Sequence, residues 1–293
     1  MDDKAVAIVT GANSGIGRAV AVHLATKGFR VFGTVRQRAS ANKLLALAEG
    51  AHVAVELVEM DVADDESVSR AIGEVLHQTG RIDVLVNNAG IGTNGVVEET
   101  PPSRFLEVMN VNLCGAVRCT QAVLPSMRAR ATGCIVNVTS VVGRFGAMAQ
   151  APYVASKWAL EGASEELALE VAPFGIRVAI IEPGVTKSAI FAKNVDVPNS
   201  SGAYGDQYRR MLQMYATGIP NATDPFEVAD VIHHAITTDQ PRLRYTMSWG
   251  GDGLVNGRAR LSDEDWVAMG AAVDDDDYYR RFEAAFGLAI APP

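Results

Sequence analysis

The chain has 293 residues, 48% of them hydrophobic and 20% charged, with a net charge of −8. That is enough apolar material for a sizeable core, and an acidic balance without a Lys/Arg cluster argues against nucleic acid as a partner. Cys114, Cys119 and Cys134 form no CxxC pair and no pattern with the five histidines, which argues against a disulfide framework or a metal site and fits a reducing compartment.

Met1-Asp2-Asp3-Lys4 runs straight into an apolar stretch, with no basic segment ahead of a long hydrophobic one. No signal peptide is expected. No run approaches about 18 apolar residues, so no membrane span is expected, and the expected location is cytoplasmic. The sequons at Asn137 and Asn221 then carry no message.

Ala5 to Thr10 is almost wholly apolar, as suits a buried parallel strand. Gly11, Gly15 and Gly17 follow, then a helix pattern through Ala19, Val20, Leu24 and Ala25 that Gly28 ends. Arg30 to Val35 is the next strand. Glycines between a strand and a helix let backbone approach a phosphate, and the helix N-terminus offers free N–H groups; Asn13, Ser14 and Ile16 lie in the same turn. The alternative is a plain tight turn, and the spacing differs from the common Gly-x-Gly-x-x-Gly pattern.

The end of the second strand separates the nicotinamide cofactors. An acid there would hold a ribose 2′-hydroxyl, and an arginine would accept a 2′-phosphate. Thr34-Val35 offers no acid, and Arg36 follows with Arg38 nearby, so NADP(H) is favoured over NAD(H).

Ala39 to Glu49 reads as a helix, His52 to Val58 as a strand, and Asp64 to Gln78 as an amphipathic helix. Asp61, followed by Val62, could take a hydrogen bond from an adenine amino group or cap that helix. Asp83 to Val86 is a fourth strand, ending in Asn87-Asn88-Ala89-Gly90, a turn or a cofactor-facing turn. A long helical stretch runs from Pro101 to about Met127. It holds Asn110 and Asn112, poor helix formers that need partners if buried, so one of them binds a water or bends the helix. Cys134 to Val138 is a fifth strand with Thr139-Ser140 at its carboxyl end, where ligands sit in open α/β sheets.

Pro152 opens the next helix, which runs to about Val171. Tyr153 and Lys157 share one of its faces. A free tyrosine ionises near pH ~10, and a neighbouring cation favours the phenolate. Such a tyrosine can exchange a proton with a reacting oxygen. Arg177 to Ile181 is a sixth strand, ending at Glu182-Pro183-Gly184-Val185-Thr186. The alternation predicts a single doubly wound domain over 1–293, with a mostly parallel sheet of about seven strands flanked by helices. Asp274 to Asp277 reads as a solvated helix start.

These residues together resemble the short-chain dehydrogenase/reductase family, continuously from Ala5 to about Thr186. The resemblance rests on Thr10-Gly11-x-x-x-Gly15-Ile16-Gly17, Asn87-Asn88-Ala89-Gly90, Asn112-Leu113-x-Gly115, Ser140, Tyr153-x-x-x-Lys157 and Pro183-Gly184-x-Thr186. It implies that Tyr153 is the general acid and that Ser140 binds the same carbonyl oxygen. Lys157 would tune Tyr153 and hold the nicotinamide ribose, and Asn112 would anchor a water. Pro183, Gly184, Val185 and Thr186 would pack near the carboxamide, with Asn88, Ala89 and Gly90 also on the cofactor. The chain is more similar to the hydroxysteroid and retinol dehydrogenase branch than to the acyl-carrier reductases.

The stretch 187–218 is rich in Ser, Gly and Tyr and reads either as a loop plus an ordinary helix or as a substrate lid. Val142, Phe145 and Met148 after Ser140, with Phe191 and Met211 from the lid, would line an apolar pocket. The expected substrate is a bulky apolar ketone or alcohol, such as a steroid, retinoid or polyketide-like ring. The alternatives are a 3-oxoacyl reductase, an epimerase or dehydratase, and a non-catalytic cofactor-binding sensor or scaffold. The tail 243–293 is expected to extend the same domain. Trp158, Leu160 and Leu167 on the Tyr153 helix are core residues or, as the resemblance implies, part of a homodimer or homotetramer contact.

Overall fold

The computed structural model describes residues 4–188 and 198–292. One sheet of seven strands in the order β3-β2-β1-β4-β5-β6-β7 runs through the centre, and every pairing is parallel. The strands are β1 (Val6–Val9), β2 (Arg30–Val35), β3 (Val55–Glu59), β4 (Val84–Asn87), β5 (Gly133–Val138), β6 (Ile176–Pro183) and β7 (Arg244–Met247).

Both faces of the sheet are covered, which is why the strands read as continuous apolar runs. In β1, Ala7 and Val9 join one core with α1 (Gly15–Thr26), α2 (Asn42–Gly50) and a later helix, Pro225–Thr237. Val6 and Ile8 face the other way, into a core built by α3 (Asp65–Thr79), α5 (Gly115–Ala129) and the end of α6 (Ala151–Val171). Ile8 is fully buried, and cutting such a side chain to alanine costs about 2–5 kcal/mol.

Three boundaries differ from the sequence reading. The third strand starts at Val55, because His52 turns into the left-handed region (φ 56°) and Val53 N–H bonds back to the Ala48 carbonyl. The helix expected from Ala39 begins at Asn42, after a single tight turn at Arg38–Ser40. The long helix divides into α4 (Pro102–Met109) and α5 around a wider five-residue π turn, Asn110–Cys114. There the Asn112 side chain leaves the helix to bond elsewhere, and such turns cluster at functional sites.

Two further helices, α7 (Gly205–Gly218) and α8 (Pro225–Thr237), precede β7. Asp224 caps α8 in a reciprocal box with Glu227. After β7 come α9 (Gly251–Arg260), α10 (Asp263–Gly270) and α11 (Asp275–Phe286). Leu254, Met269, Tyr278, Tyr279, Phe282 and Phe286 from these helices bury Val141, Val142 and Phe145, just after Ser140, in a third core. The acidic run does start α11, with Asp274 as its cap, but it is not simply solvated. Asp277 is buried, and Asp275 pairs with Arg209 and Arg210 of α7. Among the described residues no helix is long and apolar enough to cross a membrane, and no His/Cys/Asp/Glu group could hold a metal.

Candidate active site

The glycine turn sits against the Asn87–Gly90 turn at the carboxyl ends of β1 and β4. The Thr10 hydroxyl accepts from the N–H groups of Asn88 and Ala89, both at 2.9 Å, and Asn88 Nδ2 donates to the Thr10 carbonyl at 2.9 Å. Gly11 has φ +66°, and a Cβ there would lie 2.9 Å from Ala89 Cα. A Cβ on Gly17 would meet the Asn88 amide and come within 2.5 Å of the Gly11 carbonyl oxygen. Only glycines let these two turns close on each other.

Ser14 precedes α1 without a side-chain cap bond, and the first turn holds no acid. The leading N–H groups of α1 are therefore available to an anion. This uncapped N-terminus and the glycine cradle fit a dinucleotide pyrophosphate. At the rim, Asn13 Nδ2 donates to Ser40 Oγ at 3.1 Å. Arg36 is exposed just past β2 and makes no hydrogen bond or ion pair among the described residues, whereas Arg38 lies 3.8 Å from Glu74. Asp61 accepts from Ala63 N–H at 2.9 Å, and the cap of α3 is Asp64, which accepts from Ser67 N–H at 2.6 Å. Of the two openings left for Asp61, the cap is thus filled by another residue. Val62 is buried against Gly115, whose added Cβ would come 2.8 Å from Val62 Cγ2.

Pro183 to Thr186 prolongs the β6–β7 pairing past the sheet. Gly184 N–H bonds to the Met247 carbonyl at 2.8 Å and Val185 N–H to the Trp249 carbonyl at 3.0 Å; Thr186 Oγ1 lies 3.1 Å from Ser248 Oγ.

Ser140, Tyr153 and Lys157 come together beyond the end of β5. The Ser140 hydroxyl lies beside the Tyr153 phenol and donates to the Pro183 carbonyl at 3.3 Å. Lys157 Nζ donates to the Val138 carbonyl at 2.9 Å and lies 5.7 Å from the centre of the Tyr153 ring. The start of α6 is fixed by Gly95. Gly95 N–H bonds to the Ala149 carbonyl, its own carbonyl accepts from Ala151 N–H, and Ala149 is held at φ 54°. A non-glycine residue there stores strain of roughly 1–2 kcal/mol.

Asn112 supports the group from behind. Its Oδ1 accepts from Ile91 N–H at 2.8 Å, and its Nδ2 donates to the Ile91 carbonyl and to Ser156 Oγ, both at 2.9 Å. Both amide protons go to protein atoms, so a water would have to use another group.

Burial dominates the titration of this site. It pushes the Tyr153 phenol up to about 12, against the neighbouring Ser140 hydroxyl, which pulls it down. It pushes the Lys157 ammonium down to about 8, against the Glu161 charge, which pulls it up. The sequence reading has the cation lowering Tyr153; here desolvation is the larger influence on the phenol.

The expected pocket residues separate. Val142 and Met148 belong to the core under the tail. Phe145 is buried there, edge-on to Trp266 and 6.3 Å from Phe286. Met211 is buried with Val96, Ala149 and Tyr208. Phe191 lies outside the described residues. Two contributors escape the sequence reading of the site. On α7, burial and then the neighbouring Tyr153 push the Tyr215 phenol up, and its hydroxyl donates to Asn94 Oδ1 at 3.2 Å. Glu161, one turn past Lys157, is buried. Its i,i+4 position behind the lysine is the available signal.

The model of the short chain dehydrogenase family matches residues 5–198. The chain belongs to that family. It is 36% identical over 254 residues to 17-beta-hydroxysteroid dehydrogenase type 1 of Mus musculus, covering 83% of this chain and 73% of the relative. A short-chain dehydrogenase structure from Streptomyces avermitilis covers 94% of the chain and all of its own (100%), at 33% identity and TM-score 0.77. A single-residue variant of actinorhodin polyketide ketoreductase, solved with NADPH, is similar over 81% of this chain and 92% of its own, at 32% identity and TM-score 0.69. The chain is thus a short-chain dehydrogenase/reductase oxidoreductase, of a family that uses a nicotinamide cofactor.

Proposed function

We propose that this oxidoreductase transfers hydride between NADP(H) and a bulky apolar ketone or secondary alcohol, with Tyr153 as general acid and base. The observation that carries this is the meeting of the Ser140 hydroxyl and the Tyr153 phenol beyond the end of β5, with Lys157 beside them. Two adjacent hydroxyls can share one substrate oxygen and stabilise the negative charge that grows there.

When bound, the nicotinamide supplies or accepts the hydride. Gly11, Asn13, Ser14, Gly15, Ile16 and Gly17 hold the pyrophosphate in this reading, and Asp61 and Val62 flank the adenine. Asn88, Ala89 and Gly90 face the cofactor across the cradle, with Pro183, Gly184, Val185 and Thr186 at the carboxamide. Arg36 takes the 2′-phosphate, supported by its exposure at the end of β2 and the absence of an acid there. Tyr153 gives its proton to the carbonyl oxygen in reduction and takes one from the alcohol in oxidation. Lys157 holds the ribose, and its charge opposes the effect of burial on Tyr153. Asn112 positions this group through Ser156.

An apolar substrate is supported by the steroid and polyketide enzymes among the similar proteins. Self-association is supported by Leu106 on α4 and Trp158 and Leu169 on α6, which stay 50–71% exposed.

The test is consumption of NADPH and of NADH with a panel of steroid and bicyclic ketones, set against simple sugars. Turnover of apolar ketones with a clear NADPH preference supports the proposal. Sugars turned over far better than ketones, or an NADH preference, would remove the substrate or the cofactor part respectively.

A further inference from the structure

Glu161 and Glu182 are 4% and 0% exposed, and the reaction as proposed uses neither. Two buried carboxylates need an organised answer. Here Thr139 Oγ1 donates to Glu161 Oε1 at 2.5 Å and Arg244 Nε to Glu161 Oε2 at 3.1 Å. Glu182 receives Thr246 Oγ1 at 2.6 Å and Arg144 Nη1 at 2.9 Å, with Arg244 Nε at 3.5 Å. Thr139 and Arg144 flank Ser140. Gly143 packs directly on Glu161, since a Cβ there would lie 2.9 Å from Glu161 Cγ. The network therefore touches the Ser140 turn on one side and the Lys157 helix on the other.

We propose that Glu161 is a positioning residue, whose carboxylate keeps the Lys157 ammonium charged and holds the turn that carries Ser140. The inference rests on the reading that Lys157 binds the cofactor ribose.

The charges around it fix the sign. On α6 the neighbours are Tyr153, Lys157 and Glu165, the last paired with Arg244 at 2.6 Å. Glu182 comes from β6, Arg244 from β7 and Arg144 from the turn after Ser140. On α4, which also packs on α6, Arg104 and Glu107 pair with each other. Tyr215 of α7 faces Tyr153. Burial pushes Lys157 down, and Glu161 is the charge that works against it. Burial and then Glu182 push Glu161 up, while Thr139 and Arg244 pull it down. Without the Glu161 charge, Lys157 loses the neighbour that works against burial, and its proton leaves more readily.

The experiment is NADPH titration by fluorescence, from roughly pH 6 to 10, on wild type, Lys157→Met and Glu161→Gln. Wild-type affinity is expected to weaken as pH rises through about 8, where Lys157 loses its charge. Lys157→Met should lack this break, and Glu161→Gln should show it about one pH unit lower. A break that stays in place in Glu161→Gln overturns the inference and leaves the reaction reading intact. A break that persists in Lys157→Met overturns the ribose reading itself. Should Glu161→Gln not fold, Arg244→Met removes the guanidinium that favours the Glu161 carboxylate and should move the break downward; an unmoved break there also overturns the proposal.

Discussion

The glycine cradle and the tail core, the second packed under the Ser140 turn, are held together by different physics. The cradle is fixed around backbone: the Thr10 hydroxyl and the Asn88 amide each bond the facing turn's main chain, and Gly11 and Gly17 allow close approaches that no other side chain fits. The tail core is fixed by volume. Phe145, Trp266, Phe282 and Phe286 fill one space with tilted and edge-on rings. A backbone constraint permits one residue type, whereas a volume constraint accepts many combinations. The first writes a motif into the sequence, and the second writes only hydrophobicity.

The comparison can be broken most directly at the chemistry. Tyr153→Phe keeps the ring and the cradle but removes the proton, so NADPH binding should persist while kcat falls about 10³-fold. A mutant that turns over normally would separate the site from Tyr153. In the tail, Phe286→Ala should lower stability by about 3–5 kcal/mol. Thermal melting reads the loss, and NADPH affinity measured well below the new Tm should change little if cradle and tail are separate. Gly17→Ala should do the converse, abolishing NADPH binding and costing about 1–3 kcal/mol from overpacking. Retained cofactor affinity would show that the two turns can part without consequence.

The smallest effect sharpens the comparison at the sheet entrance. Burial works against the Asp83 carboxylate, yet hydrogen bonds from Arg81, Val6 N–H and Arg130 hold it below the ordinary carboxylate range. Its stabilising contribution is present above the unfolded pKa and is lost as pH falls through the lower, folded one. Asp83→Asn should therefore cost about 1–2 kcal/mol at neutral pH. Denaturant titration should show the difference shrinking below about pH 4. A constant difference would mean that shape, not charge, is what Asp83 supplies.

The contrast accounts for what is legible. Strands buried on both faces announce themselves as apolar runs, so β1, β2, β4, β5 and β6 can be placed to within a residue or two. β7 cannot, since Arg244-Tyr245-Thr246-Met247 buries only Tyr245 fully and reads as a polar tail. The turn at Asn110–Cys114 stays hidden because a π turn keeps the helical pattern on both sides, although Asn112 hints at it. Phe145 reads as a pocket residue on hydrophobicity alone, and that property cannot tell a residue facing a ligand from one facing Trp266. Glu161 draws no notice because a glutamate on a helix is usually solvated. Its i,i+4 position behind Lys157 is the one hint in the sequence, and its burial under Gly143 shows only in the structure.

The packing of Phe286 beneath the segment after Ser140 also orders events in time. A ribosome finishes Tyr153 and Lys157 more than a hundred residues before Phe286. Until that last helix emerges, Val141 and Phe145 lack Tyr278, Tyr279, Phe282 and Phe286 from their core, and the turn after Ser140 lacks part of its floor. The growing polypeptide thus carries the family's motifs before the helix that packs beneath them exists.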